Sequence, residues 1–417
     1  MSRYFLVTYL EPPYNNVQYN TQGGNCMKAV GITVEYNPFH NGHLYHAQQA
    51  RQRANADVVV AVMSGNFVQR GEPALIDKWA RTQMALDNGV DIVIELPYVF
   101  STAYAPNFAK GAITLLDAMC CNAFAFGNES GEATDFYATV DLLTREQQRY
   151  DELIQQAVKT GISYPRAMAN AFTTIAPTNQ YIDLTQPNNI LGFHYVKSAV
   201  ALASTMQAIT IPRKAANYHD DHFSHNSIAS ATAIRQALLT TTSITNFVPP
   251  TTAKLLATKQ HVTWTDFYPL LRHTLLQWSP DFIAKFADVN EGIEYALVKA
   301  AKHATNYEQF LNQIKSKRYT TARLQRMLTH ILLGVTQQER DALTSPSYIR
   351  LLGMTSEGQH YMRYTKKLRK LPVVSRVGGH QDALLALDCK ATAIYNLATG
   401  ATQTDFNTPP IIKAPST

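Results

Sequence analysis

The sequence predicts an α/β protein: a doubly wound, Rossmann-like parallel sheet over residues 27–240, followed by a mainly helical segment over 241–417. Three observations carry this reading. Short runs of small and β-branched residues alternate with longer stretches of helical apolar spacing, the pattern that builds parallel sheets from β–α units. The runs DVVVAVM (57–63) and DIVIEL (91–96) are apolar without a polar face, as strands covered on both sides must be. Beyond about residue 240, strand signals thin out and apolar residues recur at helical spacing through 250–258, 264–277, 289–304, 307–316, 320–333 and 336–344.

Composition narrows the class. At 417 residues, with 46% hydrophobic and 16% charged, the chain has material for two or three cores. No apolar run reaches the ~18 residues of a membrane helix, so no membrane partner is expected. A net charge of +6 suits a polyanionic partner without demonstrating one. Cys26, Cys120, Cys121 and Cys389 have no C-x-x-C spacing, which argues against a disulfide scaffold or zinc ribbon and for a reducing, cytoplasmic setting.

Residues 1–26 lack the basic segment and apolar core of a signal peptide and end in Gly23-Gly24, so they read as a poorly ordered extension. Ala29 to Glu35 reads as a buried strand, which Asn37-Pro38 breaks because proline lacks an N–H and restricts the residue before it. Helix formers dominate from Gly42 onward. Strands at 57–63 and 91–96 follow, separated by a helix over Pro73 to Asn88 that Gly89 ends. A helix over Ala105–Asp117 precedes a strand at Ala123–Phe126, ended by Gly127. Residues 135–175 read as a helical insertion, then comes the helix opened by PNNILG (187–192). A fifth strand, Gln207–Ile211, ends at Pro212-Arg213, and Ser230 caps a further helix. Late in the chain, Tyr348–Met354 and Pro372–Val377 read as short strands around a basic helix, and the tail after Gln403 reads as loose.

The chemistry concentrates at His40-Asn41-Gly42-His43, between the first strand and its helix. A helix start leaves backbone N–H groups unpaired at the positive end of the macrodipole, so it attracts phosphate. Gly42 lets backbone approach a ligand closely. Two histidines three apart can share one anion there. The pattern HxGH in this context is that of the nucleotidyltransferase superfamily, and the longer string VEYNPFHNGHLYH closely resembles the tRNA(Met) cytidine acetate ligase family. The stretch SATAIR (230–235) resembles the second superfamily signature, and the resemblance extends over most of the chain from Met27.

The resemblance implies a two-step reaction: ATP and acetate give acetyl-adenylate and pyrophosphate, and the acetyl group then passes to the wobble cytidine of elongator tRNA(Met), forming N4-acetylcytidine. It implies His40 and His43 as the catalytic pair. It implies an ATP site lined by Thr33, Val34, Glu35, Tyr36, Asn37, Pro38, Phe39, His40, Asn41, Gly42, His43, Leu44, Tyr45 and His46. Gly127, Asn189 (or Asn188, which could instead cap its helix) and Arg213 match further ATP-site positions. Ser230, Thr232 and Arg235 are candidate phosphate contacts. Mg²⁺ is expected with ATP, although no carboxylate cluster marks a dedicated site.

The loop SGNFVQRGEP (64–73) leaves the second strand with an amide, an arginine and two glycines suited to a small-acid or nucleotide pocket. Lys78 and Arg81 either aim two cations at phosphates or form a solvated helix face. His219, Asp220, Asp221, His222 and His225 invite a zinc reading, which we reject because such residues are common in solvated loops. Lys315, Lys317, Arg318 and Arg323, with Arg326 and Tyr319 nearby, form a basic group suited to RNA, as does the run Lys366, Lys367, Arg369, Lys370 with Tyr361 and Tyr364. The alternative function is a metabolic nucleotidyltransferase acting on a small phosphorylated cofactor precursor, for which a basic helical second half would have no purpose. A non-catalytic RNA-binding protein on a relic fold is disfavoured by the intact HNGH.

Overall fold

A computed structural model describes residues 27–162, 164–176, 180–213, 228–240, 242–316 and 318–414. The N-terminal extension, the histidine-rich loop around His222 and Lys317 lie outside the described residues. One eight-stranded sheet forms the centre: β1 (Ala29–Val34), β2 (Val58–Ser64), β3 (Ile92–Leu96), β4 (Ala123–Asn128), β5 (Gln207–Pro212), β6 (Ile349–Thr355), β7 (Val373–Val374) and β8 (Ile411–Lys413). Its order is β5-β4-β1-β2-β3-β6-β7, with β8 paired to β6. The first five strands run parallel. Strand order reverses at β1, with β2 on one side and β4 on the other, and the crevice at such a switch point is where doubly wound sheets bind ligands.

Both faces of the sheet are covered, as the apolar runs require. Helices Asn41–Ala54, Lys78–Asp87 and Ala231–Leu239 pack one face, with Val59, Ala61 and Met63 of β2 buried beneath them. Helices Ala105–Ala118 and Pro187–Ala201 and most helices from Trp264 onward share the other core with Val58, Val60 and Val62. The insertion forms three helices, Ala133–Arg145, Gln147–Lys159 and Tyr164–Ile175.

Several expectations change. The helix expected from Pro73 begins at Lys78, because Asp77 caps it by accepting the Ala80 N–H at 2.8 Å. Upstream, the Asn37 side chain takes the Leu75 N–H at 2.7 Å, which keeps that segment out of the helix. Gly127 does not end β4; the strand continues to Asn128, in register with Ile211 and Pro212 of β5. The tail is not loose: Asp405 is buried and Ile411–Lys413 is a strand. A helix over Ala383–Thr399 escaped the sequence reading. Residues 241–348 are helical as expected, yet the chain then returns to the sheet, where β6 runs antiparallel along β3. The boundary at 240 is therefore a change of character and not a break in the core.

Charge inside the core explains Lys78 and Arg81, which serve neither expected purpose. Lys78 is fully buried, with its ammonium 2.7 Å from Glu95 and 2.8 Å from Asp405; Arg350 reaches the same Asp405 carboxylate at 3.3 Å. The buried Arg81 guanidinium donates to the backbone carbonyls of Glu35 (2.7 Å), Ser64 (2.9 Å) and Gly65, lacing the carboxyl ends of β1 and β2 together. A solvated face would have left both cations outside.

The loop after β2 is where the helical segment docks. Gly71 has φ +78°, and a Cβ there would overlap the backbone of Gln325 and Arg326. Its carbonyl accepts from Trp264 Nε1 at 3.0 Å and Thr329 Oγ1 at 2.8 Å. Gly71→Ala should therefore destabilise the protein by about 1–3 kcal/mol through strain alone, with more from displacing the helix Thr321–Leu333. Chemical denaturation would check this, and an unchanged midpoint would refute the tight docking.

Candidate active site

The turn after β1 holds the two histidines by their own backbone. His40 is the N-cap of helix Asn41–Ala54: its Nδ1 accepts the Gly42 N–H at 3.1 Å. His43 Nδ1 accepts the His40 N–H at 3.3 Å, completing a reciprocal capping box built from imidazoles. Because each Nδ1 is an acceptor, each ring carries its proton on Nε2. The rings stack with centroids 3.7 Å apart and planes at 21°. Tyr36 and Phe39, both buried, back His43 at 5.0 and 5.8 Å. A Cβ on residue 42 would sit 2.9 Å from the His40 ring, so glycine is needed to keep that ring in place.

Electrostatics keep this pair neutral. Burial, then the nearby charges of Arg213 and Arg235, hold His40 at about 3. Burial and the adjacent His40 and His46 rings push His43 well below the usual imidazole value. Two neutral N–H donors at a helix start, flanked by guanidinium groups, suit phosphate oxygens without repelling each other. His46, one turn on, is also lowered, to about 4, by burial and Arg213, and its Nε2 is buried with no hydrogen-bond partner. The i, i+3, i+6 spacing was legible, but only the pair within HNGH drew a catalytic reading.

The two signatures meet. Ser230 caps helix Ala231–Leu239 by accepting from Ala233 N–H at 3.0 Å. From that helix Arg235 donates to the Asn37 carbonyl at 2.9 Å, to Thr232 Oγ1 at 3.3 Å and to Glu72 at 3.4 Å. Thr232 thus holds the arginine. Asn41 is a fastener: its backbone N–H and side-chain amide donate to the carbonyls of Phe247 and Asn246, each at 2.9 Å. Asn37 is buried and spends its side chain on Leu75. Thr33 and Glu35, at the end of β1, are half-buried, and Glu35 accepts the Gln69 N–H at 2.9 Å.

Gly127 and Arg213 stand together at the carboxyl ends of β4 and β5: a Cβ on Gly127 would lie 3.8 Å from Arg213 Cγ, and Arg213 N–H donates to the Asn128 carbonyl at 3.2 Å. Asn189 is fully buried and its amide is spent internally, accepting from Glu129 N–H (3.1 Å) and donating to Ser130 Oγ (3.2 Å) and the Asp183 carbonyl (3.1 Å). Asn188 is not the helix cap; Gln186 holds that position. The Glu129 carboxylate, 59 residues away in sequence, takes the N–H groups of Asn188 (3.1 Å) and Asn189 (2.9 Å) instead. No local spacing could have revealed Glu129. In the loop after β2, Asn66 turns inward, accepting from Lys78 N–H at 2.9 Å, while Arg70 is exposed.

The basic groups separate clearly. Lys315 and Arg318 are exposed, and Arg323 lies over the Tyr319 ring at 4.3 Å while bonding Asn290 (2.8 Å) and Glu291 (3.3 Å). Arg323 shares helix Thr321–Leu333 with Arg326, whose backbone packs on the loop after β2, at the same sheet edge as the histidine turn. The Lys366–Lys370 run lies on the opposite edge, since Thr355 N–H bonds the Asp91 carbonyl before β3 and Lys370 pairs with Asp117 before β4. Tyr319 and Tyr361 are buried and cannot stack on bases; Tyr361 donates to the Cys120 carbonyl at 2.7 Å.

Fold and site together define a class. The HIGH Nucleotidyl Transferase family model matches residues 27–408, and the chain belongs to that family. Within it, this is a member of the tRNA(Met) cytidine acetate ligase family. A curated protein of that name from Lysinibacillus sphaericus is 50% identical over 401 residues, covering 92% of this chain and 100% of its own. The Bacillus subtilis protein of the same name is 42% identical, over 89% of this chain and 92% of its own. Crystal structures of Thermotoga maritima TmcAL, 32% identical, superpose at TM-score 0.87 (apo) and 0.84 (with alpha-thio ATP), each covering 93% of this chain and 100% of the other.

Proposed function

We propose that this chain activates acetate with ATP as acetyl-adenylate and transfers the acetyl group to the wobble cytidine of elongator tRNA(Met). The observation that carries the proposal is the junction of the two signatures at the switch point of the sheet, where Arg235 of SATAIR donates to the carbonyl of Asn37 in the turn that leads into HNGH. Attack of a carboxylate on the α-phosphate builds negative charge on phosphate oxygens. The His40 Nε2–H, the His43 ring N–H once it exchanges the Pro38 backbone for phosphate, the positive end of helix Asn41–Ala54, and Arg213 stabilise that charge. The fourteen-residue stretch Thr33–His46 then divides its labour. Its histidines supply donors for phosphate, Gly42 leaves room for the His40 ring that accepts its N–H, its aromatic residues wall the turn, and Asn37 and Asn41 fix the neighbouring loops. Gly127 and Arg213 flank the nucleotide, and Asn189 acts on it by holding the loop after β4. Among the described residues no group of three metal-ligating side chains occurs, so Mg²⁺ would travel with ATP on its phosphate oxygens, and no step here is routed through it.

Incubation with ATP, labelled acetate and bulk tRNA tests the whole reading: label should enter tRNA with release of AMP and pyrophosphate. Transfer of AMP to a small phosphorylated acceptor instead would favour the metabolic alternative. For the RNA side we assign Lys315, Lys317, Arg318 and Arg323; the reading is supported by Arg323, whose helix Thr321–Leu333 packs through Arg326 on the loop after β2. Replacing all four with alanine should weaken tRNA binding and lower the slope of log affinity against log salt by about one for each phosphate left without its cation. An unaltered salt slope would reduce the group to a solvated face.

A further inference from the structure

Building on the acetyl-transfer reading, we propose that Glu35 is the group that takes the proton from the attacking cytidine amine in the second step. Its position carries the argument. Glu35 follows directly on β1 and leads into the histidine turn, and charged groups extend from it in both directions. On the nucleotide side stands Arg235, which donates to the carbonyl of Asn37, two residues on from Glu35, at 2.9 Å. On the helical side stands the loop after β2: its Gln69 bonds the Glu35 carboxylate and its Gly71 packs on the backbone of Arg326, three residues from Arg323 in helix Thr321–Leu333. The carboxylate therefore lies between the phosphate turn and the arginines on the side assigned to RNA, where an acyl group on one substrate must meet an amine on the other.

Its setting suits the task. One oxygen is fixed by the Gln69 N–H at 2.9 Å, which orients the group and leaves the second oxygen able to accept a proton. Glu72, Arg70, Arg81, Arg235 and Tyr195 are the charged or titratable groups within reach. Burial, partly opposed by the Gln69 hydrogen bond and Arg235, raises its pKa above the usual carboxylate value, towards the range where a general base works best. The exocyclic amine of cytosine needs such help, because its lone pair is delocalised into the ring. As the C–N bond forms to the acetyl carbon, one N–H proton passes to Glu35. The C–O bond to phosphate then breaks, and AMP leaves with the electron pair. Glu35 afterwards returns its proton to solvent.

The test supplies chemically prepared acetyl-adenylate and tRNA to the full chain and follows single-turnover transfer. Glu35→Gln keeps the acceptor for Gln69 and should fold, which thermal unfolding would verify. Its transfer rate should fall ~10²-fold or more, the usual contribution of a general base, with little change in the KM for tRNA or acetyl-adenylate. The wild-type rate should rise with pH through one ionisation above the ordinary carboxylate range, and Glu35→Gln should lose that ionisation. A loss confined to KM, or a retained pH profile, would overturn the proton-acceptor role. A wild type that transfers normally beside an equally active Glu35→Gln overturns only this role. A wild type that transfers nothing overturns the acetyl-transfer function, and this role with it.

Discussion

Alanine at His40 or His43 is expected to lower acetate-dependent pyrophosphate release by ~10²-fold or more, the scale of losing one prepositioned transition-state donor. The two variants should differ in stability. His40→Ala removes an N-cap and should cost about 1 kcal/mol, whereas His43→Ala exposes the faces of Tyr36 and Phe39. Thermal unfolding run beside the rate assay separates the two effects, and a normal rate in folded protein would remove the histidines from the mechanism. Because burial holds His40 at about 3 and His46 at about 4, titration of these rings should leave the rate flat between pH 6 and 8. Folding follows a different course. An unfolded histidine titrates near 6.5, so the stability held by these depressed rings is full above that value and is lost as pH falls towards 4 and then 3.

Asp405→Ala is expected to destabilise the whole protein by about 3–5 kcal/mol, the usual cost of removing one member of a buried ion group. Lys78, 0% exposed, would keep only Glu95, and Arg350 would lose its carboxylate partner. Against a total stability of about 5–15 kcal/mol that is a large share. Asp405→Asn, which keeps the shape, should recover part of the loss. Urea denaturation monitored by ATP binding and by far-UV dichroism would measure both. A midpoint shift below about 0.2 M for the alanine variant, less than 1 kcal/mol at ordinary m-values, would show that the charges are not coupled as described.

These two sites mark what the sequence could and could not disclose. The histidine turn was legible because everything that builds it is local. A strand, a proline break, a glycine and two histidines three apart lie within one stretch, and the capping bonds run between residues two and three apart. The sheet followed from apolar runs for the same reason. By contrast, Lys78 and Asp405 are 327 residues apart, and a lysine opening an amphipathic helix looks like surface until its partners are known. Arg81 misled for a related reason, since its acceptors are backbone carbonyls at the ends of two strands. The three-residue strand Ile411–Lys413 lies in a proline-containing tail, where composition points to loop; pairing with β6 decides otherwise.

The return of the chain to β3 also bears on how the protein comes into being. During synthesis the half that carries the histidine turn leaves the ribosome first, and domains commonly fold in that order. Here β3 must wait for β6, with Ile94 set opposite Leu351, and Lys78 must wait for Asp405. Until nearly the whole chain has emerged, the nascent sheet carries an unpaired edge and a buried cation without one of its partners. A chain truncated before β6 is therefore expected to fold less stably than the whole protein, which limited proteolysis of the truncated chain would check.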